Sequence, residues 1–208
     1  MKILIADDHA IVRKGLKQIL LEEFPSAEIH DVSNGHELLN AIRKQNYDVV
    51  ISDLSMPGIN GLDALKQLKE EFPKQRVLIL SMHPEDQYAI RVLRAGASGY
   101  LNKETAGDEL VKAVRQITNG KRYISVAVAE KLADNLDIDS DKELHETLSD
   151  REFEVLKLIA QGKTVSEIAD LLSLSVATIS TYRARLLEKL HLKNNAELTR
   201  YALDNKVV

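Results

Sequence analysis

Five short runs of strand length, the first, third and fourth dominated by Ile, Leu and Val, occupy positions 2–6, 28–32, 49–52, 76–80 and 98–101, separated by longer stretches of helical period. That alternation constrains the chain more than any other feature. Strand-length runs alternating with helix-length ones are the pattern of a parallel sheet wrapped by helices, here a (βα)5 α/β unit with right-handed crossovers. The expected helices lie near 10–23, 35–46, 61–71, 85–95 and 106–119. Boundary residues agree with them: Asn34 caps before Gly35 and Glu37, Pro84 sits at a first turn, and Gly120 follows the fifth helix.

Beyond Gly120 the alternation stops. An amphipathic piece near 126–136 and the acidic run Asp137-Ile-Asp-Ser-Asp141 read as a linker, with a short helix and a solvated connection. After Leu148 everything has helical period: Ser149 caps 150–161, Thr164 opens 165–172, Ser175 caps 176–190, and 194–205 closes the chain. The expected organisation is therefore an α/β domain over 1–120, a linker over 121–146 and an all-α domain over 147–208. A length of 208 residues suits two such units, and no internal repeat is visible.

With 44% hydrophobic and 29% charged residues, the composition is that of a globular protein with ordinary cores, not of a disordered chain. Cysteine is absent, which excludes disulfides, thiolate metal sites and thiol chemistry. Only four apolar residues, 3–6, follow Met-Lys before Asp7 and Asp8, too few for a signal peptide or a membrane span. The expected location is the cytoplasm, with no membrane partner.

The net charge of −4 hides an asymmetry. Residues 147–208 carry nine Lys or Arg against eight Asp or Glu, and the remainder 19 against 24. The basic excess concentrates between Ser175 and Lys193, where Arg183, Arg185, Lys189 and Lys193 face Glu188 alone.

Asp7 and Asp8 directly follow the first strand, Asp53 ends the third, Ser81 ends the fourth, and Lys103 lies just past the fifth. Singly these are a helix cap, a turn residue and a solvated lysine. Together they belong to one edge, because in an open parallel sheet the ligand crevice lies beyond the carboxyl ends of the strands. Three carboxylates brought together repel unless a cation neutralises them or one takes up a proton. An all-oxygen donor set favours Mg²⁺ over Zn²⁺, and Mg²⁺ engages few carboxylates together with a phosphate. The site thus points to phosphoryl chemistry, in which a carboxylate attacks phosphorus to form an acyl phosphate while Mg²⁺ and a lysine neutralise the transferring group. His9 completes an Asp-Asp-His triplet, but it begins the first helix and has no partner histidine nearby, so it reads as structural.

With these residues in place, residues 1–120 resemble the flavodoxin-like receiver domain of two-component response regulators. The resemblance implies that Asp53 is the phosphoacceptor, that Asp7, Asp8 and Asp53 with the Ser55 carbonyl hold Mg²⁺, and that Ser81 and Lys103 contact the phosphoryl group. Met56-Pro57-Gly58 matches the turn after the acceptor. Tyr100, in Gly-Tyr-Leu-Asn-Lys, resembles the family's switch aromatic, which turns inward as the Ser81 position moves toward phosphate. Ser55 and His83 flank the phosphate in such proteins and tune attack by water.

Residues 164–189 have the layout of a helix-turn-helix. Ile168, Ala169, Leu171 and Leu172, then Ile179, Leu186, Leu187 and Leu190, are expected in the core, with a tight turn through Ser173-Leu174-Ser175. The other face of the second helix offers Ser180, Thr181, Arg183, Ala184 and Arg185, small polar and cationic groups able to enter a major groove. Leu148-Ser-Asp-Arg-Glu-Phe-Glu-Val-Leu156, Ile159-Ala-Gln-Gly162, Glu167-Ile-Ala169 and the stretch from Thr178 to Leu190 resemble the LuxR-type domain of the NarL/FixJ response regulators. By that resemblance Thr178, Ser180, Thr181, Arg183, Arg185 and Lys189 meet DNA. Where the family often has Val-Lys-x-His, this chain has Ile179-Ser-Thr-Tyr182, so base preference does not carry over.

The function expected is a phosphorylation-dependent transcription regulator, not an enzyme acting on a separate substrate. Its expected partners are a sensor histidine kinase, double-stranded promoter DNA, a second copy of itself once phosphorylated, and RNA polymerase. The competing readings are a Mg²⁺-dependent phosphohydrolase with Asp53 as nucleophile, and a receiver whose C-terminal domain binds protein.

Overall fold

The computed structural model describes residues 1–56, 59, 61–83, 85–125, 128–130, 145, 148–205 and 207–208. Pro57 and Gly58 of the turn after Asp53, Pro84, the acidic run and most of the 126–136 piece lie outside the described residues. The chain forms two compact units, Met1–Asn135 and Leu136–Val208.

In the first unit, strands and helices alternate: β1 (Lys2–Ala6), α1 (Ala10–Glu23), β2 (Glu28–Val32), α2 (Gly35–Lys44), β3 (Val49–Asp53), α3 (Gly61–Glu71), β4 (Val77–Ser81), α4 (Glu85–Arg94), β5 (Gly99–Asn102) and α5 (Ala106–Thr118). The strands pair in parallel in the order β2-β1-β3-β4-β5. β3 and β4 are buried along their whole length, as expected of strands covered on both faces. Ile3, Ile5, Val49, Ile51, Leu78 and Leu80 pack on one face against Leu16 and Leu20 of α1 and Leu110 and Val114 of α5. Full burial of each such aliphatic side chain contributes about 2 kcal/mol.

Ladder pairing carries Asp53 and Ser81 to the very ends of their strands: Asp53 lies opposite Leu80, and Ser81 opposite Asn102. The fourth and fifth strands each begin and end one residue later than the apolar runs suggest. Asn102 is polar, but its pairing with Ser81 prolongs the ladder. Asn34 caps α2 by accepting from the Glu37 amide at 2.9 Å, and Gly120 ends α5 with φ of 81°, a conformation glycine adopts without penalty.

In the second unit, α6 (Asp150–Ala160) packs on α9 (Asn195–Asp204) and α8 (Val176–Lys189), and α7 (Val165–Leu171) packs on α8. Ser149 and Thr164 form reciprocal capping boxes with Glu152 and Glu167, and Ser175 accepts from the Thr178 amide. Such caps are worth about 1 kcal/mol each. The tight turn between α7 and α8 takes Ser173 to φ of 53°. Ile168, Ala169, Ile179, Leu186 and Leu190 are buried, whereas Leu171 is 60% exposed, and Leu172 and Leu187 are half-buried. Leu171 is thus not a core residue. At about 100° per residue it lies roughly 110° from the middle of the stripe formed by Ile168, Ala169 and Leu172.

Candidate functional site

The winding of the sheet reverses between β1 and β3, so the helices following these strands leave on opposite faces and open a crevice at their carboxyl ends. Asp7 enters it immediately after β1, and Asp53 as the last residue of β3. Both are almost wholly buried, at 1% and 3% exposure. Lys103, one residue past β5, reaches across: its Nζ lies 2.7 Å from Asp7 Oδ2 and 2.8 Å from Asp53 Oδ2. Its backbone is fixed by the bond from its amide to the Ser81 carbonyl at 2.8 Å. The sequence-predicted Asp7, Asp53 and Lys103 therefore meet in direct contact.

Burial pushes the Asp53 carboxyl above its usual range, and the Asp7 charge adds to this; the Lys103 ammonium pulls back only part of the way. Burial pulls the other way on Lys103, but its bonds to Asp53 and Asp7 outweigh that and hold the ammonium above its usual value. Asp8 is more open, and candidate ligand atoms of Asp7, Asp8, His9 and Asp53 lie within 4.8 Å of one another. Three carboxylates against one ammonium leave the crevice negative, a cation-attracting arrangement. His9 occupies the position before α1, as its place in the sequence implies, but its side chain makes no capping bond; its Nδ1 turns toward the cluster, 2.8 Å from Asp8 Oδ1 and 3.3 Å from Asp7 Oδ1.

Two backbone features hold Asp53 in place. The Ser55 amide donates to its Oδ1 at 3.2 Å. At Gly61 the start of α3 presses so closely on β3 that a Cβ there would sit 1.9 Å from the Asp53 carbonyl oxygen. Nothing in the sequence distinguishes Gly61 from an ordinary helix-start glycine, because the close approach arises only when the loop folds back. Arg13 is another contributor that sequence reasoning missed: its guanidinium donates to the Asp7 carbonyl at 2.6 Å and to Asp31 at 3.1 Å.

Ser81, also buried, does not stand alone. Its hydroxyl accepts from the His83 amide at 3.0 Å, and the buried Tyr100 donates its hydroxyl to the His83 carbonyl at 2.7 Å. The His83 ring stacks on Tyr88 at 4.5 Å between centroids, and its Nε2 lies 3.3 Å from Ser55 Oγ. His83 therefore links the Ser55, Ser81 and Tyr100 positions through its backbone and ring, a connection that spacing alone did not reveal.

The nucleic-acid candidates divide into three groups. Ser180, Thr181 and Arg185 are exposed along α8. Thr181 Oγ1 donates back to the Ala177 carbonyl at 3.0 Å, while the half-buried Thr178 hydroxyl lies 2.7 Å from the cap Ser175 Oγ. Two cations are engaged within the fold: Arg183 Nε donates to Asn195 Oδ1 at 2.5 Å, and Lys189 Nζ to Glu152 Oε2 at 2.7 Å. Glu152 also accepts from the Ser149 amide. Burial pushes its carboxyl up, but Lys189 and Ser149 more than compensate and leave it below the usual range.

Residues 3–115 match the model of the response regulator receiver domain, and residues 146–202 that of the bacterial regulatory proteins of the luxR family. The chain is 38% identical to the oxygen regulatory protein NreC of Staphylococcus carnosus, covering 100% of this chain and 99% of that one. It is 33% identical to the response regulator UvrY of Escherichia coli, covering 98% and 94%. Among solved structures it is similar to RcsB from Salmonella enterica serovar Typhimurium bound to promoter rprA in the presence of the phosphomimetic BeF3−. That match has a TM-score of 0.64 and 32% identity over 97% of this chain and 98% of that one.

Proposed function

The chain belongs to the response regulators that join a receiver to a LuxR-type helix-turn-helix, the NarL/FixJ type, and we propose that Asp53 is the phosphoacceptor through which it is switched. It is a DNA-binding transcription regulator of a two-component system. The receiver is assigned to 1–120, the linker to 121–146 and the DNA-binding domain to 147–208.

The observation that carries the phosphoacceptor assignment is the burial of Asp53 against Asp7 with Lys103 bridging both. A histidine kinase presents a phosphohistidine, and an Asp53 carboxylate oxygen attacks phosphorus. The N–P bond breaks, imidazole leaves, and an acyl phosphate remains on Asp53. Lys103 neutralises charge on the transferring group. The oxygen-rich cluster of Asp7, Asp8 and Asp53 fits Mg²⁺; these carboxylates, with the Ser55 carbonyl that the family resemblance adds, would hold the ion, which would supply charge neutralisation for the phosphoryl oxygens.

Ser81 transmits the change. If its hydroxyl turns to a phosphoryl oxygen, it leaves the His83 amide, and the His83 carbonyl is the group that Tyr100 holds. The added charge, roughly −2, shifts a pre-existing equilibrium of this turn and of the receiver surface. Dimerisation follows and places two recognition helices on half-sites roughly 34 Å apart. Arg185, with Ser180 and Thr181, is the exposed reader of DNA; Thr178 supports the start of the helix. Arg183 reaches DNA by exchanging its bond to Asn195, and Lys189 braces α8 on α6. RNA polymerase is a further partner at the promoter, and the cytoplasm the compartment. No helix among the described residues is long and apolar enough to cross a membrane.

Incubation with acetyl phosphate and Mg²⁺, followed by mass spectrometry of the intact chain and of its peptides, tests the assignment. One phosphoryl group per chain, on Asp53 and absent from Asp53→Ala, is expected. Sustained turnover of phosphomonoesters, or labelling elsewhere, would overturn it.

A further inference from the structure

At the end of the receiver away from Asp53, where β4 and β5 begin, the surface folds into a cavity of about 320 Å³. Four cations line it: Lys69 from α3, Arg76 just before β4, and Lys121 and Arg122 just after α5. No carboxylate among the described residues lines it. Among the described residues, the side chains of Arg76, Lys121 and Arg122 have no carboxylate partner. The neighbouring cavity, which shares Arg76, contains Asp48 and Glu71, but Glu71 is paired with Arg43, and Asp48 accepts from the Lys2 amide at 2.7 Å.

The cluster is built into the fold. Lys69 Nζ is pinned by the Gln75 carbonyl at 2.5 Å and the Pro73 carbonyl at 3.4 Å, which leaves one of its three hydrogens for a ligand. Its stem lies over the turn at Gly96, where φ is 97° and a Cβ would meet Lys69 Cγ at 3.2 Å. Burial pulls the Lys69 ammonium below its usual range, and the nearby Arg122 charge adds to the effect. Like charges held together without a counterion are strained electrostatically, and an anion relieves them.

We propose that this cavity binds a small diphosphate-bearing anion, with Arg76 and Arg122 taking phosphoryl oxygens through their guanidinium forks and Lys69 and Lys121 supplying the remaining charge. A hollow of this size lies at the small end of the range of ligand pockets. Its concavity favours a compact anion over the phosphate backbone of a duplex, which is tracked by an open basic stripe. The site lies on a different edge of the sheet from the phosphoacceptor and stands independently of it.

The test is calorimetric titration of the full chain with inorganic pyrophosphate, ADP and orthophosphate in Mg²⁺-free buffer at low ionic strength. Saturable binding of pyrophosphate or ADP with one site per chain is expected, at least roughly tenfold tighter than orthophosphate. Pyrophosphate and ADP at equal affinity identify the diphosphate as the recognised part, whereas ADP alone identifies a nucleotide source. The Arg76→Gln/Arg122→Gln double variant is expected to lose at least tenfold in affinity with an unchanged circular dichroism spectrum, and Arg183→Gln/Arg185→Gln to bind as the parent does. Absence of saturable binding, equal affinity for orthophosphate, or dependence on Arg183 and Arg185 instead would overturn the proposal. If Arg76→Gln/Arg122→Gln misfolds, Lys121→Gln, at an exposed loop position, gives the same readout.

Discussion

The contact at Gly61 makes Asp53 unusually sensitive to a single methyl group. A Cβ at this position meets the Asp53 carbonyl oxygen at 1.9 Å, its carbonyl carbon at 2.8 Å and Leu54 Cα at 2.8 Å, all backbone atoms with no flexible end to swing away. Ordinary contact begins at 3.4 Å, so Gly61→Ala forces α3 and the end of β3 apart by about 1.5 Å. Overpacking of this kind costs about 3 kcal/mol, and a displacement near 1 Å at a reacting group costs roughly 100-fold in rate. The assay is acetyl phosphate labelling followed over time by intact-mass spectrometry, alongside thermal unfolding. Asp53 phosphorylation is expected to slow by about two orders of magnitude in whatever fraction remains folded. Wild-type labelling kinetics with an unchanged melting temperature would refute the claim that Gly61 positions the acceptor.

Other substitutions separate the roles assigned above. Lys103→Met removes the cation that bridges Asp7 and Asp53, so titration should show Mg²⁺ binding tightened several-fold while phosphorylation slows. Tyr100→Phe leaves the His83 carbonyl without its 2.7 Å donor and should cost about 1 kcal/mol by chemical denaturation of the receiver. Because the folded Glu152 carboxyl titrates below its unfolded value, the stability it adds to the second unit is complete above the unfolded value of about 4.3 and disappears as pH falls through the lower, folded value. Glu152→Gln should flatten that acid-side loss in pH-dependent melting. Arg185→Ala should weaken DNA binding at least roughly tenfold and reduce its salt dependence by about one ion, whereas Lys189→Ala should chiefly lower the melting temperature of the second unit.

The legible part of this molecule was whatever depends on period and order. Strand ends placed Asp7, Asp53 and Lys103 on one edge because a parallel sheet has only one carboxyl edge, and that inference needs no distances. Caps were legible for the same local reason: Asn34, Ser149, Thr164 and Ser175 lie next to the amides they serve. Long-range pairings were not. Nothing at Glu152 announces Lys189, and α8 residues that look equally basic in sequence divide into one exposed arginine and two cations with internal partners. Leu171 misled because its apolar character was weighed without its helical angle, which sets it off the stripe of Ile168, Ala169 and Leu172. Gly61 and Arg76 share the remaining difficulty, since close approach and missing countercharge are properties of folded neighbours.

The central claim is that phosphate at Asp53 controls DNA binding by the second unit. Genome-wide footprinting in the host cell, with the native chain and with Asp53→Ala at matched abundance, tests it most directly. Footprints at paired half-sites that appear with kinase stimulation and vanish in Asp53→Ala are predicted. Identical footprints in both strains, or none with the native chain under stimulation, would contradict the account.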